Sequence, residues 1–292
     1  MTQQTEAWTI GRIIEWTRAF FEKQRIDQPR LEAEILLAHV LGTERIDLYL
    51  NYEEPVDDQA RARLRDLVRQ RADHVPTRYL VGGCEFLSLA MRVTPDCLIP
   101  RPETELLVEE AVRLVPPDAD ASAVDLGTGS GCVAVALAVN RPRARLVATD
   151  VSPAALDVAR TNAHGHGVAD RITFLHGDLY DALDAADVPP ADLLLANPPY
   201  VTEAEWDRLA PEIRDHEPRQ ALVAGPEGTE VIDRVVRGAP AYLKPGGTLL
   251  VEIGHGQDEA ARGVAQAARG LGDVEIYRDY AGHPRILVAR RT

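Results

Sequence analysis

No stretch of this 292-residue chain approaches the roughly 18 consecutive apolar residues of a membrane-spanning helix, so none is expected. Its start, Met1-Thr2-Gln3-Gln4-Thr5-Glu6, has no positively charged segment leading into an apolar one, and is not expected to be a signal peptide. Cysteine is scarce. Cys84, Cys97 and Cys132 are far apart, odd in number and form no CxxC pair. That spacing argues against a disulfide framework and a zinc site, and for a reducing, cytoplasmic setting. Excess positive charge is also missing: the net charge is −14, and the first 75 residues carry 11 Lys/Arg against 14 Asp/Glu. A dedicated duplex binder neutralises phosphates with a basic face, which this balance does not supply, although a local basic patch stays open. The histidines, among them His164, His166, His216 and His255, show no metal-ligand spacing, and no metal is expected. Ser130 has no His/Asp arrangement to make it a nucleophile, and Cys132 reads as packing. There are no internal repeats and no low-complexity tracts.

What is present is ample for a core, with 45% hydrophobic and 27% charged residues over a length that favours one large and one small domain. Residues up to about 75 read as helical. Ile10, Ile13, Ile14 and Thr17 share one helical face, and Leu31, Ile35, Leu36 and Val40 another, with Gly42 as a stop. A third helix opens after Pro55 at Asp57 and Asp58, where negative charge suits the helix dipole. Its Leu64, Leu67 and Val68 face inward, while Arg61, Arg65 and Arg69 form a stripe read as a solvated face rather than a partner surface. From Tyr79 to Val93 short apolar stretches broken by Gly82-Gly83 suggest a β-hairpin. Pro95 to Pro102 reads as a rigid linker, and Pro102, Glu103 and Glu105 start a helix running to about Leu114. Strands expected near 123–126, 145–149, 172–175, 191–196 and 247–253 alternate with helices near 131–139, 153–163 and 227–243, which implies a parallel, doubly wound sheet. Two last strands near 273–277 and 284–290 are close enough to form an antiparallel pair. The expected division is a helical domain over 1–75, a hairpin and linker over 76–102, and a catalytic domain over 103–292.

Ligands of open α/β sheets bind beyond the carboxyl ends of the strands, and three strand ends here carry suitable groups. Asp125-Leu126-Gly127-Thr128-Gly129-Ser130-Gly131 closes the first strand, its glycines letting backbone N–H groups approach a ligand. Asp150 ends the second strand, where a carboxylate accepts from ribose hydroxyls. Gly177-Asp178-Leu179 ends the third, where Asp178 could accept from an adenine amino group. Helix capping explains either acid alone better than both together. Asp125 ahead of the first glycine favours a cationic ligand over a pyrophosphate, so the set suits S-adenosylmethionine better than NAD.

The buried run Leu193-Leu194-Leu195-Ala196 ends in Asn197-Pro198-Pro199-Tyr200. Each proline fixes its own φ, and Pro198 keeps Asn197 extended, so the turn is stiff before anything binds. On its own it could be simply structural. Beside the glycine loop it suits a site for a planar amide or amine.

Together these segments resemble the release factor glutamine methyltransferases (the PrmC/HemK family) over nearly the whole chain. The resemblance is carried by Pro76-Thr77-Arg78-Tyr79-Leu80-Val81-Gly82, Leu98-Ile99-Pro100-Arg101-Pro102-Glu103-Thr104-Glu105, the glycine loop, Asn-Pro-Pro-Tyr, Glu217-Pro218-Arg219-Gln220-Ala221-Leu222 and Glu252-Ile253-Gly254. The tetrapeptide is shared with DNA adenine methyltransferases; the Pro-Arg-Pro-Glu segment is more specific. The resemblance implies a class I (Rossmann-like) methyltransferase with a seven-stranded sheet, a small N-terminal helical domain and a β-hairpin linker. It implies N5-methylation of the glutamine in the Gly-Gly-Gln motif of peptide chain release factors with S-adenosylmethionine, the helical domain engaging the release factor. Cofactor contacts fall on Asp125, Gly127, Thr128, Gly129, Ser130, Gly131, Asp150, Asp178, Leu179 and Asn197. The substrate amide falls to Asn197, Pro198, Pro199 and Tyr200, with Asn197, Pro198 and Tyr200 catalytic. Leu179 departs from an aromatic that some members place against adenine, which makes that wall aliphatic. Arg101 and Glu103 either line the pocket lip or only start a helix. Two rivals remain, a nucleic-acid adenine methyltransferase, which needs a basic trough, and a release-factor-binding module without catalysis. Direct nucleic-acid contact and membrane association are not expected, and nothing in the sequence signals an oligomeric state.

Overall fold

The computed structural model describes residues 7–292; the expectation for Met1–Glu6 lies outside the described residues. The described residues form two compact units, 7–82 with 211–216, and 83–210 with 217–292.

The first unit is helical: α1 (Ile10–Lys23), α2 (Pro29–Leu41), α3 (Arg45–Leu50), α4 (Asp58–Ala72) and α5 (Thr77–Val81). Local chemistry sets its helix ends. Thr9 Oγ1 accepts from Arg12 N at 3.3 Å to open α1, and Asp57 Oδ1 accepts from Ala60 N at 2.8 Å to open α4. Gly42, in the left-handed region at φ 68, closes α2. Ile10, Ile13, Ile14 and Thr17 are buried as their spacing predicts. On α2 the buried face is shifted: Ala33, Leu36, Leu37 and Val40 are inside, whereas Leu31 and Ile35 are only half-buried. Ala33–Leu36–Leu37–Val40 is the stricter helical stripe, i, i+3, i+4, i+7. Glu34 is buried beside it, its carboxylate held by Arg30, Arg45 and Tyr49. Burial opposes its ionisation, yet these donors outweigh it and hold the group below its ordinary value.

The second unit opens with a hairpin, β1 (Gly83–Phe86) and β2 (Leu89–Arg92), turning on Leu87 and Ser88, both at positive φ. The hairpin is shorter than expected, because Tyr79–Val81 complete α5 and Gly82 ends it at φ 75. Next come α6 (Pro102–Leu114), β3 (Ser122–Leu126), α7 (Cys132–Asn140), β4 (Arg145–Asp150), α8 (Pro153–Gly165), β5 (Ile172–His176), α9 (Asp181–Ala185) and β6 (Ala191–Ala196). After β6 lie β7 (Val201–Thr202), α10 (Glu203–Trp206), α11 (Pro211–Arg214, within the first unit) and β8 (Val223–Gly225). The chain ends with α12 (Glu230–Tyr242), β9 (Leu243–Glu252), α13 (Asp258–Ala267), β10 (Leu271–Arg278) and β11 (Pro284–Arg291).

Seven strands form one sheet in the order β10-β11-β9-β6-β3-β4-β5. The run from β9 to β5 is parallel, and β11 lies antiparallel between β9 and β10. Alternation along each strand divides the core between the two sheet faces. Leu193, Leu195 and Leu250 join the cluster with α6 and α7, while Leu194, Ala196, Leu249 and Val251 join the one with α12 and α13. A fully buried leucine of this kind contributes about 1.5–3 kcal/mol. The hairpin is tied to the sheet unit through Asn162 on α8. Its Oδ1 accepts from Arg92 N at 2.7 Å, and its Nδ2 donates to Arg92 O at 3.0 Å and to Ser130 O at 2.8 Å. Among the described residues no helix is long and apolar enough to cross a membrane.

Candidate active site

The strand order reverses between β3 and β6: the chain runs outward through β4 and β5, then returns to the other side of β3. A crevice therefore opens at the carboxyl ends of β3 and β6, where Leu126 is paired with Ala196. The glycine loop leaves one strand there and Asn197 leaves the other. One cavity is lined by Asp125, Gly127, Thr128, Gly129, Ser130, Asp150, Asp178, Leu179, Asn197 and Pro199. Three other sequence-predicted residues are not on that lining. Gly131 caps α7 at φ 79, and a Cβ on it would lie 2.8 Å from Ala159 Cβ, so it serves close packing on α8. Pro198 is buried and Tyr200 half-buried. Tyr200 packs on the backbone of Gly254, where a Cβ would come within 3.0 Å of its Cδ2.

Each strand-tip acid has a defined environment. Asp125 is almost fully buried, accepts from Thr128 Oγ1 at 2.6 Å, and is pushed by desolvation up to about 6. Asp150 braces the glycine loop, its Oδ2 accepting from Gly129 N at 2.8 Å and its Oδ1 from Ser152 N at 2.9 Å. Burial still raises it above the ordinary carboxylate value, against those backbone donors. Asp178 Oδ2 accepts from Arg234 Nη2 at 2.7 Å. Leu179 is buried with φ 48, a conformation a leucine rarely adopts, and faces the cavity as an aliphatic wall.

Asn197 Nδ2 donates to Thr104 Oγ1 at 3.0 Å, which orients the carboxamide. The turn behind it is anchored by backbone bonds from Tyr200 N and Val201 N to Leu222 O, at 3.1 and 2.8 Å. Gln257 clamps it from another side: its Nε2 donates to Tyr200 O and to Gly228 O, both at 3.0 Å, and its Oε1 accepts from Gly254 N at 2.9 Å. Arg101 lines the cavity and pairs at 2.5 Å with Glu217, a buried carboxylate that also accepts from Ile99 N at 3.2 Å. Glu103 is exposed in the first turn of α6 and absent from that lining. Arg101 and Arg234, the arginines on the lining, are each neutralised by a carboxylate, so the cavity is no basic trough. Among the described residues no group of His, Cys, Asp or Glu is arranged to hold a metal ion.

Sequence reasoning did not assign Thr104, Gln257 or Arg234 a place at the site. Thr104 sits in the first turn of α6, where its residue type gives no sign of a role, and neither Gln257 nor Arg234 has a local signal.

The lining fits an adenosine-bearing cationic cofactor. Cβ atoms built on Gly127 and Gly129 would meet nothing within 4 Å, at φ values of 71 and 55. The buried Ser130 hydroxyl, on the same wall, has no hydrogen-bond partner. The space beside the glycine loop is therefore open.

A parallel sheet ending in an antiparallel pair, with a glycine loop and an amide-bearing turn at its switch point, is the architecture of a class I methyltransferase. The family models agree: residues 12–82 match a PrmC N-terminal domain, and residues 102–220 a methyltransferase small domain. A release factor glutamine methyltransferase of Rhodopirellula baltica is 39% identical, over 98% of this chain and 97% of that protein. One from Geobacter sulfurreducens is 40% identical over 99% of both. A methyltransferase structure from Pyrococcus furiosus superposes with a TM-score of 0.51 at 15% identity, covering 70% of this chain and 89% of that one, a likeness of fold. The chain belongs to the release factor glutamine methyltransferase family.

Proposed function

We propose that this chain methylates the N5 side-chain amide of the glutamine in the Gly-Gly-Gln motif of peptide chain release factors, with S-adenosylmethionine as donor. The observation that carries this reading is the meeting of Asn197 with the glycine loop in one cavity, its Nδ2 committed to Thr104 and its Oδ1 left as an acceptor. The cofactor, when bound, supplies an electrophilic methyl group on a sulfonium. Asp150 and Ser130 would hold its ribose and backbone-facing polar groups, Asp125 its cationic end, and Leu179 the adenine face. Asp178 would reach the adenine amino group beside Arg234.

A carboxamide nitrogen is a poor nucleophile, because its lone pair is delocalised into the carbonyl. Asn197 Oδ1 and the Pro198 carbonyl would accept its two N–H bonds, moving electron density onto nitrogen and aiming it for in-line displacement. Tyr200 would pack on the amide plane and exclude water. The amide proton, held by Asn197 Oδ1 or the Pro198 carbonyl, would become acidic once the nitrogen is alkylated and would pass to solvent. No strong base is required beforehand.

We assign release-factor engagement to the helical domain (1–75), joined through the hairpin and linker (76–102) to the catalytic part (103–292), and we place the activity in the cytoplasm. The exposed apolar side chains of Trp16, Ile46, Tyr49 and Leu50 offer that domain a protein-binding surface. The acidic balance argues against a nucleic-acid substrate. The test is transfer of labelled methyl to a purified release factor, with the same factor lacking the Gly-Gly-Gln glutamine as control. Labelling of the first alone is expected, and equal labelling of both would overturn the substrate. Asn197→Ala should abolish transfer with cofactor affinity retained; near-normal turnover would remove Asn197 from its role.

A further inference from the structure

Two cations face the cavity beyond the strand tips, Arg101 and Arg234. They stand at opposite ends of it. Arg234 Nη2 donates to Asp178 Oδ2 at 2.7 Å, just past the tip of β5. Arg101 is tied to the tip of β6: Thr104 N donates to Arg101 O at 3.1 Å, and Thr104 Oγ1 accepts from Asn197 Nδ2 at 3.0 Å. The strands lie in the order β6-β3-β4-β5, so about 14 Å separates the two tips. One arginine cannot serve both.

The backbone of Arg101 is stiffened on both sides, by Pro100 and Pro102. Its Nη2 donates to Glu217 Oε1 at 2.5 Å, and Glu217, whose side chain is 2% exposed, also accepts from Ile99 N at 3.2 Å. A single buried carboxylate thus holds the Arg101 side chain and the backbone leading into it. Among the described residues Arg101 Nε and Nη1 donate to no acceptor, and the side chain is 27% exposed on the cavity wall. A guanidinium held at one corner and free at the others is a ready receptor for a second carboxylate.

We propose that Arg101 binds the α-carboxylate at the methionine end of S-adenosylmethionine. The assignment rests on the cofactor reading proposed above. Adenine falls to Asp178 and Leu179 past β5, and ribose to Asp150 past β4, which leaves the methionine end to the tips of β3 and β6. Asp125, Asp150 and Asp178 on the lining suit the sulfonium and the ammonium but oppose a carboxylate. A zwitterionic end therefore needs a cation of its own, and Arg101 is the one the lining supplies there. Long-range charge alone would favour the decarboxylated cofactor, which carries one more net positive charge. Selecting the intact form requires this local contact.

The test compares S-adenosylmethionine with its decarboxylated form, which lacks only that group, by calorimetry on the full-length chain. Wild type should bind the intact cofactor about 30-fold more tightly. Arg101→Met should weaken the intact cofactor about 30-fold, leave the decarboxylated form within about threefold, and bring the two near parity. Arg101→Lys, which keeps the charge without the fork, should retain part of the preference. Equal weakening of both ligands in Arg101→Met would make Arg101 a structural part and overturn the proposal. An unchanged preference with a raised KM for a release factor would give the arginine to the protein substrate, and overturn it too. Should Arg101→Met not fold, the wild-type preference and its partial loss in Arg101→Lys decide. Failure of wild type to bind either ligand would strike the cofactor reading itself, whereas equal binding of both would strike this assignment alone.

Discussion

At the scale of single residues the site is governed by buried acids whose protonation has been moved toward neutrality. Glu252 sits near 7 and Asp125 near 6, both because burial disfavours the charged form. The sign for stability follows directly. Between its ordinary value of 4.5 and about 7, Glu252 keeps a proton in the folded chain that the unfolded chain has lost. Its contribution is therefore complete below about 4.5 and is lost as pH rises to about 7, a change of about 3 kcal/mol. Glu252→Gln removes the titration, so the fall in the thermal unfolding midpoint of the cofactor-free chain between pH 5.5 and 8 should flatten; an unchanged slope would contradict the assignment. Asp125 gives a separate test in binding. Its negative charge should attract a cationic cofactor, so affinity measured by calorimetry should weaken as pH drops below about 6. In Asp125→Asn the affinity should be lower at neutral pH, and this weakening should be absent.

At the scale of elements the hairpin, the glycine loop and the tetrapeptide are held by side chains from elsewhere. Asn162 satisfies both backbone groups of Arg92 and the carbonyl of Ser130, so one α8 side chain couples β2 to the glycine loop. Asn162→Ala leaves those groups without partners and should cost about 1–3 kcal/mol, read as a lower denaturant midpoint for the sheet unit. Gln257 plays the matching part for the tetrapeptide, joining Tyr200 O, Gly228 O and Gly254 N. Gln257→Ala should loosen the turn and lower kcat about tenfold, while cofactor affinity, which the proposed function assigns mainly to the glycine loop and strand-tip acids, stays near wild type. Parallel falls in both quantities would mean that the clamp supports the whole site.

At the scale of the molecule a helical unit and a sheet unit share one chain that is acidic throughout, and the proposed division of labour assigns recognition to the first and chemistry to the second. Trp16 and Leu50 leave 49% and 75% of their surface exposed. Replacing both by Ala should raise KM for a release factor about tenfold, or about 1.4 kcal/mol, with kcat and cofactor affinity unchanged. An unaltered KM would move recognition to another surface.

The sequence by itself determined the strands of the seven-stranded sheet, most of the longer helices, the glycine loop, the strand-tip acids and Asn197-Pro198-Pro199-Tyr200, but not the short pair β7 and β8. Each feature so determined is written in local rules: a continuous apolar run for β6, a cap at Asp57 and a helix-opening proline at Pro102, proline stiffness after Ala196. The same rules miss where locality ends. The α2 stripe was displaced because Ile35 and Leu36 both fit a helical period and packing chose between their faces. Tyr79–Val81 read as strand because five residues carry too little pattern to mark a helix. Only the tertiary structure brought Thr104 to Asn197 across 93 positions, and Gln257 to Tyr200 across 57. It also set Glu252, an unremarkable acid at a strand end, in a buried place beside them. Helical and strand periods constrain neighbours a few residues apart, whereas such meetings depend on strand order and on how α6 and the loop after β9 pack at the carboxyl end of the sheet.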